Sequence, residues 1–314
     1  MLAAVAEGGE IRVLERPDPV PGHGQILVRV AAAGLNGADL LQKAGHYPAP
    51  PGSPPDIPGL ELAGEVVAAG PGTARFQLGD RVMAVVGGGG QAELAVVHER
   101  EAMPVPDVVD WVSAGGLPEV FTTAHDALFT QAGLQPGERV CVHGAAGGVG
   151  TAGVQLALAA GASVVATVRS PPRREKVAEL GATAVDPAET EAHGPYDVIL
   201  ELVGAPNLDV NLRSLDTGGR ICVIGIGAGA VGQINLGLLM ARRGRLHGST
   251  LRSRPLEAKA AAARLVESHV LPMFRSGRLT VPIDTVFTLE RAPEAYERFA
   301  RGDKFGKIVL TTGV

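Results

Sequence analysis

The chain has 314 residues, 46% of them hydrophobic, 19% charged and 4% aromatic, and its formal net charge is −5. That length suffices for two domains with separate cores. The acidic balance argues against nucleic acid or an anionic membrane as a partner, and no apolar run reaches the ~20 residues that span a bilayer.

The N-terminus meets Glu7 and Glu10 before a signal-peptide core can form. Cys141 and Cys222 are the only cysteines. No disulfide framework is expected, a reducing compartment fits, and a cytoplasmic location is the expectation. Residues 1 to about 117 read as short strands broken by Gly and Pro: Ile26 to Val30, Leu62 to Ala69, Arg81 to Val86 and Ala92 to Val97. This texture predicts a β-rich, barrel-like domain. The stretch His46 to Pro58, with Pro48, Pro50, Pro51, Pro54, Pro55 and Pro58, reads as a stiff loop.

From about residue 118 strands and helices alternate. Strands are expected at Ala162 to Val168, Asp197 to Val203, Arg220 to Ile226 and Arg245 to Leu251, with helices at Arg173 to Leu180 and Leu208 to Leu215. Alternation of this kind implies a parallel sheet with right-handed crossovers. Leu256 to Ser276 is predicted as one long amphipathic helix that Pro272 kinks or ends. The tail, Val281 to Thr312, returns to strand texture around a short helix at Pro293 to Ala300, and is expected to fold back onto the first domain.

The stretch richest in chemistry is Val140-Cys-Val-His143-Gly144-Ala145-Ala146-Gly147-Gly148-Val149-Gly150. An apolar strand runs into a glycine turn and then a helix. Such a turn brings bare backbone and the positive end of a helix to a pyrophosphate. An NAD site usually places an acid about 20 residues further on, against the ribose 2′-hydroxyl. Here no acid precedes Glu175, and Arg169, Ser170, Arg173 and Arg174 stand in its place. Guanidinium forks and a hydroxyl suit a 2′-phosphate, so NADPH is the expected cofactor. Strand ends in such a sheet face the ligand, which adds Val203, Gly225, Ile226, Ser249, Thr250 and Leu251 as cofactor contacts.

Several motifs run through the whole chain: Gly34-Leu-Asn36-Gly-Ala-Asp39-Leu, Gly45-His-Tyr47-Pro, Gly59-Leu-Glu61-Leu-Ala-Gly64, Gly87-Gly-Gly-Gly-Gln91-Ala-Glu, the glycine turn itself, Ser249-Thr-Leu-Arg-Ser-Arg254 and Gly306-Lys307-Ile-Val-Leu. With them the chain resembles the medium-chain dehydrogenase/reductase superfamily, and within it the zinc-free quinone oxidoreductases of the zeta-crystallin type. The resemblance implies an α/β fold: a Rossmann-type doubly wound parallel sheet (118–255) plus a β-rich GroES-like barrel domain (1–117 and 256–314). It implies that Lys304, Phe305 and Lys307 lie on the nicotinamide side of the cofactor. It also implies a homodimer or homotetramer, with Asn235 to Met240 and Leu246 to Leu251 suited to an edge-strand contact.

Zinc members of that superfamily carry a Cys where Asn36 stands and a His where Leu60 stands. A catalytic zinc takes three protein ligands and a structural one four, so no metal is expected. The eight histidines are scattered and read as surface or loop residues. Without a metal the cofactor supplies the chemistry: hydride passes to an acceptor already poor in electrons, a quinone or an α,β-unsaturated carbonyl. Asn36 and Tyr47 are the candidate donors to the developing oxyanion, Asp39 the residue that orients them, and Glu61 a structural ion-pair partner. The leading expectation is NADPH-dependent quinone reduction. The alternatives are reduction of an enone or enal, and nucleotide binding without physiological turnover.

Overall fold

The computed structural model describes residues 1–313, in which the chain forms two compact units: Met1–Thr122 with residues 251–313, and Thr123–Thr250. In chain order the first unit opens with β1 (Leu2–Glu7), β2 (Glu10–Glu15), β3 (Gln25–Gly34), α1 (Gly37–Lys43), β4 (Glu61–Ala69), β5 (Arg81–Val85), β6 (Leu94–His98), β7 (Ala102–Pro104) and α2 (Trp111–Gly115). α3 (Pro118–His125) carries the chain into the second unit, which continues with β8 (Arg139–Val142), α4 (Gly148–Ala159), β9 (Ser163–Thr167), α5 (Pro171–Ala178), β10 (Thr183–Val185), β11 (Tyr196–Glu201), α6 (Leu208–Ser214), β12 (Leu215–Val223), α7 (Leu236–Ala241) and β13 (Arg245–Gly248). The tail returns to the first unit as α8 (Leu256–His269), α9 (Leu271–Arg275), β14 (Ile283–Thr288), α10 (Ala292–Ala300) and β15 (Lys307–Thr311).

In the first unit a seven-stranded sheet runs in the order β14-β15-β3-β4-β5-β7, and β6 also pairs with β3. Most pairs are antiparallel, which lets short turns join neighbours. Its core is Ile26, Val28, Val30, Leu62, Val66, Val82 and Ala84. A second cluster packs Leu35, Leu289, Ala292, Ala295, Tyr296, Ile308 and Leu310, and β15 pairs antiparallel with β3. The tail thus folds back as its texture implied. The long helix expected at Leu256 to Ser276 is two helices. α8 stops at His269, and Pro272, which has no N–H to donate, falls in the first turn of α9. The first residues, for which no separate element was expected, form the antiparallel pair β1–β2.

The second unit is a six-stranded sheet, parallel throughout, in the order β10-β9-β8-β11-β12-β13. Its inner strands are apolar, as expected of a parallel sheet packed against helices; Cys141, Val165, Ile199, Leu212 and Ile221 share one core. The order places β9 and β10 on one side of β8, and β11, β12 and β13 on the other. The connections therefore diverge between β8 and β11, and the carboxyl ends of these two strands mark the place where ligands bind such sheets. No helix among the described residues is long and apolar enough to cross a membrane.

Candidate active site

The glycine turn follows β8. His143 N–H donates to Leu200 O (3.0 Å), Gly144 adopts φ +63°, and Gly147 N–H closes the turn on Gly144 O (3.1 Å). α4 starts from Gly147 with no side-chain cap on its first turn. Its leading N–H groups are left to a ligand, and the helix dipole favours an anion there. A Cβ on Gly150 would lie 2.6 Å from Gly144 O and from Ala145 Cα, so only glycine allows helix and turn to approach this closely. Ala145 and Ala146 are buried, and Ala145 N–H donates to Thr167 O (3.3 Å). With Gly148 and Val149, this stretch is a candidate cradle for an anion.

At the end of β9, Arg169 is exposed and Ser170 takes the N-cap position of α5 without a side-chain capping bond; the first turn of that helix holds no acid. Arg173 is half-buried in that turn; Arg174 stands 3.7 Å from Asp186 and is shared with it. After β11, the N–H groups of Val203 and Gly204 turn inward to the Glu201 carboxylate (2.7 and 2.8 Å). Gly225 N–H donates to Glu201 O (3.1 Å), and Ile226, next to it, is half exposed. Ser249 Oγ donates to Asp126 Oδ2 (2.9 Å), and Thr250 ends the unit. Leu251 parts company with them. It opens the returning segment of the first unit, where it lines a small cavity with Val85, Met103, Thr122 and Ala262.

The first unit gathers a second set of polar groups around the start of β4. Asn36, Asp39, Glu61 and Lys307 are all buried. Lys307 Nζ donates to Glu61 Oε1 (2.5 Å), Leu35 O (2.6 Å) and Asn36 Oδ1 (2.8 Å), while Asn36 Nδ2 donates to Glu61 Oε1 (2.9 Å). Glu61 Oε2 takes the N–H of Glu119 (2.9 Å). Glu61 is thus the ion-pair partner expected of it. The partner is Lys307, whose side chain is sealed in the core. Both ends of the Asn36 amide are likewise engaged inside the protein, which leaves it as a brace for that pair.

Asp39 accepts from the N–H of Asn36 (2.7 Å) and of Gly59 (3.0 Å) and from Gln91 Nε2 (3.3 Å); Gln91 in turn accepts from the Tyr296 hydroxyl (2.7 Å). Burial pushes the Asp39 carboxyl from 3.8 up to about 6, against the pull of those N–H groups and of Lys307. Tyr47, half-buried, stacks on Arg252 with the guanidinium 4.8 Å from the ring centre. Arg252 also binds Gly87 O (2.8 Å), Tyr47 O (3.0 Å) and Gln42 Oε1 (2.5 Å). This buried arginine clamps the start of the proline-rich loop. Burial raises the Tyr47 hydroxyl above its ordinary value, partly offset by the Arg252 charge. Lys304 Nζ bonds Gly306 O (2.9 Å) and lies over the Phe299 ring; Phe305 N–H bonds Asp284 Oδ1 (3.0 Å).

Sequence reasoning missed Arg252, Gln91, Tyr296 and Glu201 as parts of these networks. Glu61 and Glu201 left one trace: each is an acid at the end of a largely apolar strand, where an unpaired buried carboxylate is costly. Two histidines depart from the surface or loop reading in different ways: His125 lies in α3, whereas His143 is in the turn after β8 as expected but is not at the surface. His125 and His143 are buried, and His143 is satisfied by Thr167 Oγ1 (2.9 Å) and Asn211 Oδ1 (2.7 Å). No group of three or more His, Cys, Asp or Glu among the described residues is placed to hold a metal ion. In the first unit, the oxygens of Glu61 and Asn36 are filled by an ammonium. This donor set does not fit a catalytic zinc.

A Rossmann-type sheet with a glycine cradle at its switch point, in one chain with a β-rich unit of mostly antiparallel strands, defines a nicotinamide-dependent oxidoreductase. Residues 22–107 match the alcohol dehydrogenase GroES-like domain, and residues 148–268 the domain described as zinc-binding dehydrogenase. The chain is 32% identical to the quinone oxidoreductase of Rattus norvegicus over 304 residues, which cover 93% of this chain and 90% of that one. It is 34% identical over 295 residues to the polyketide synthase GfsB of Streptomyces halstedii; these cover 92% of this chain but 5% of that far longer protein. The solved structure of an alcohol dehydrogenase superfamily protein from Novosphingobium aromaticivorans superposes with a TM-score of 0.88 at 31% identity, covering 99% of each chain. The chain belongs to the medium-chain dehydrogenase/reductase family and is quinone-oxidoreductase-like.

Proposed function

We propose that the protein reduces quinones with NADPH by direct hydride transfer and without a metal. The observation that carries the cofactor choice is the basic, acid-free end of β9: Arg169, Ser170 and Arg173 before and within a first helical turn that has no carboxylate. A 2′-phosphate is held by such groups and repelled by an acid. Gly144 to Gly150 bind the pyrophosphate, and Val203, Gly225, Ile226, Ser249 and Thr250 bind the nicotinamide half. The bound cofactor supplies the hydride. Tyr47 donates a hydrogen bond and then a proton to the acceptor oxygen; its raised value keeps the hydroxyl protonated at neutral pH. Arg252 holds Tyr47 in place, and Asp39 and Asn36 hold the backbone from which its loop departs. The similarity to a quinone oxidoreductase supports the acceptor class. Two copies associate through the apolar surface around β13, where Val231, Leu236 and Met240 are exposed.

The test is steady-state kinetics with NADPH and NADH against 1,4-benzoquinone, 9,10-phenanthrenequinone and a 2-alkenal series. Turnover of quinones with NADPH is expected. Preference for the alkenals moves the assignment to an enal reductase, and NADPH binding with no turnover on any acceptor removes the enzymatic reading. Arg169→Ala with Arg173→Ala is expected to raise the Michaelis constant for NADPH about tenfold or more and leave that for NADH nearly unchanged. Equal small effects on both refute the 2′-phosphate assignment. Tyr47→Phe is expected to lower kcat for quinones about tenfold or more with the NADPH constant unmoved.

A further inference from the structure

One network in the second unit is absorbed by none of the roles above. Glu201 closes β11 and is fully buried. Besides the N–H groups of Val203 and Gly204, its carboxylate accepts from the amides of Asn207 (3.1 and 3.2 Å) and Asn211 (2.7 Å). Because Asn211 gives its nitrogen to Glu201, its oxygen faces His143 Nε2 at 2.7 Å. That polarity assigns the imidazole tautomer: Nε2 carries the hydrogen, and Nδ1 accepts from Thr167 Oγ1 at 2.9 Å. His143 immediately precedes Gly144. Thr167 ends β9, two residues before Arg169, and its carbonyl holds Ala145 N–H. A single directional chain of hydrogen bonds therefore joins the ends of β8, β9 and β11, and each end leads into a stretch that the proposed function gives to the dinucleotide.

We propose that Glu201, Asn211 and His143 are positioning residues for the dinucleotide, a role that rests on the cofactor reading above. Glu201 turns two loop N–H groups inward and so sets the path of residues 202–204. Through Asn211 and His143 it sets the height of Thr167, and with it the spacing between the glycine turn and the basic end of β9. The chain works only with an acceptor at 201, a two-sided amide at 211 and a donor at His143 Nε2. Reversing one member leaves a buried pair that cannot bond.

The test is NADPH dissociation, followed by nicotinamide fluorescence well below the melting temperature of each variant, beside thermal melts without cofactor. Glu201→Gln places an amide donor against the donors of Asn207 and Asn211; Asn211→Asp places a second carboxylate against the first. Each is expected to weaken NADPH binding about tenfold or more. In the double variant Glu201→Gln/Asn211→Asp, the new amide donates to the new carboxylate, which still accepts from His143. Its dissociation constant is expected within about threefold of wild type. Single variants that melt earlier but bind NADPH as wild type does show a merely structural role and overturn the proposal, as does a double variant that binds no tighter than the singles. Should the singles fail to fold, the double variant decides alone: within threefold of wild type supports the proposal, tenfold weaker overturns it. A wild-type protein that binds neither NADPH nor NADH instead overturns the cofactor reading.

Discussion

Each unit buries an acid at the end of a core strand, and the two are neutralised in different ways. In the first unit Glu61 opens β4 against the ammonium of Lys307, 246 positions away in the chain. In the second, Glu201 closes β11 among backbone N–H groups and amides supplied within ten residues, Val203, Gly204, Asn207 and Asn211. The cation in the first unit is one group, and its loss strands a charge. The neutral donors in the second are several, and each is replaceable in part. A compact local shell also fixes backbone direction, which suits a loop proposed to meet a ligand; a distant ion pair fixes how β15 is seated beside β3.

The strongest way to break this contrast is Lys307→Met. It leaves Glu61 buried without its cation and is expected to destabilise the protein by about 3–5 kcal/mol in urea unfolding. A loss below about 1 kcal/mol would mean that the Asn36 amide and Glu119 N–H suffice for Glu61, and that the two units do not differ. Adding Glu61→Gln to that variant should recover much of the loss.

Asp39 sharpens the contrast through pH. Its carboxyl lies at about 6 in the folded protein against 3.8 as the ordinary value, because burial outweighs its hydrogen bonds. The folded state then binds more protons than the unfolded one between these values. The Asp39 contribution to stability is fully present below about pH 3.8 and is lost as pH rises through 6. Asp39→Asn should remove a fall of about 1–3 kcal/mol from the stability profile between pH 4 and 6. Urea titrations at several pH values read it, and an identical slope in both proteins would refute the assignment. The smallest effect is expected for Asn207→Ala. Glu201 keeps two N–H donors and Asn211, so the cost should stay near about 1 kcal/mol; a loss as large as that of Lys307→Met would show that the local shell is no more tolerant than the ion pair.

Much of the second unit is legible in the sequence alone. Strand period, glycine spacing and the Pro-rich start of α5 are local signals, and Val140 to Gly150 adopt the strand, turn and helix they imply. Limits appeared where a local pattern admits two outcomes. The apolar spacing from Leu256 to Ser276 suits one helix or two, and the break falls ahead of Pro272. His143 reads as a surface or loop residue, and it does lie in the turn after β8. It is buried because Thr167 and Asn211 arrive from other elements with matching polarity. Asn36 and Lys307 looked available to a substrate or cofactor, and the structure engages each with the other and with Glu61.

The chain's own order of residues therefore determined the elements, the glycine cradle and the acid-free basic end of β9, since each depends on neighbours within a few positions. Only the tertiary structure decided which polar groups are spent inside the protein and which face outward. A buried carboxylate or ammonium takes whatever partner strand order and register bring within about 3 Å, and those partners can be hundreds of residues away.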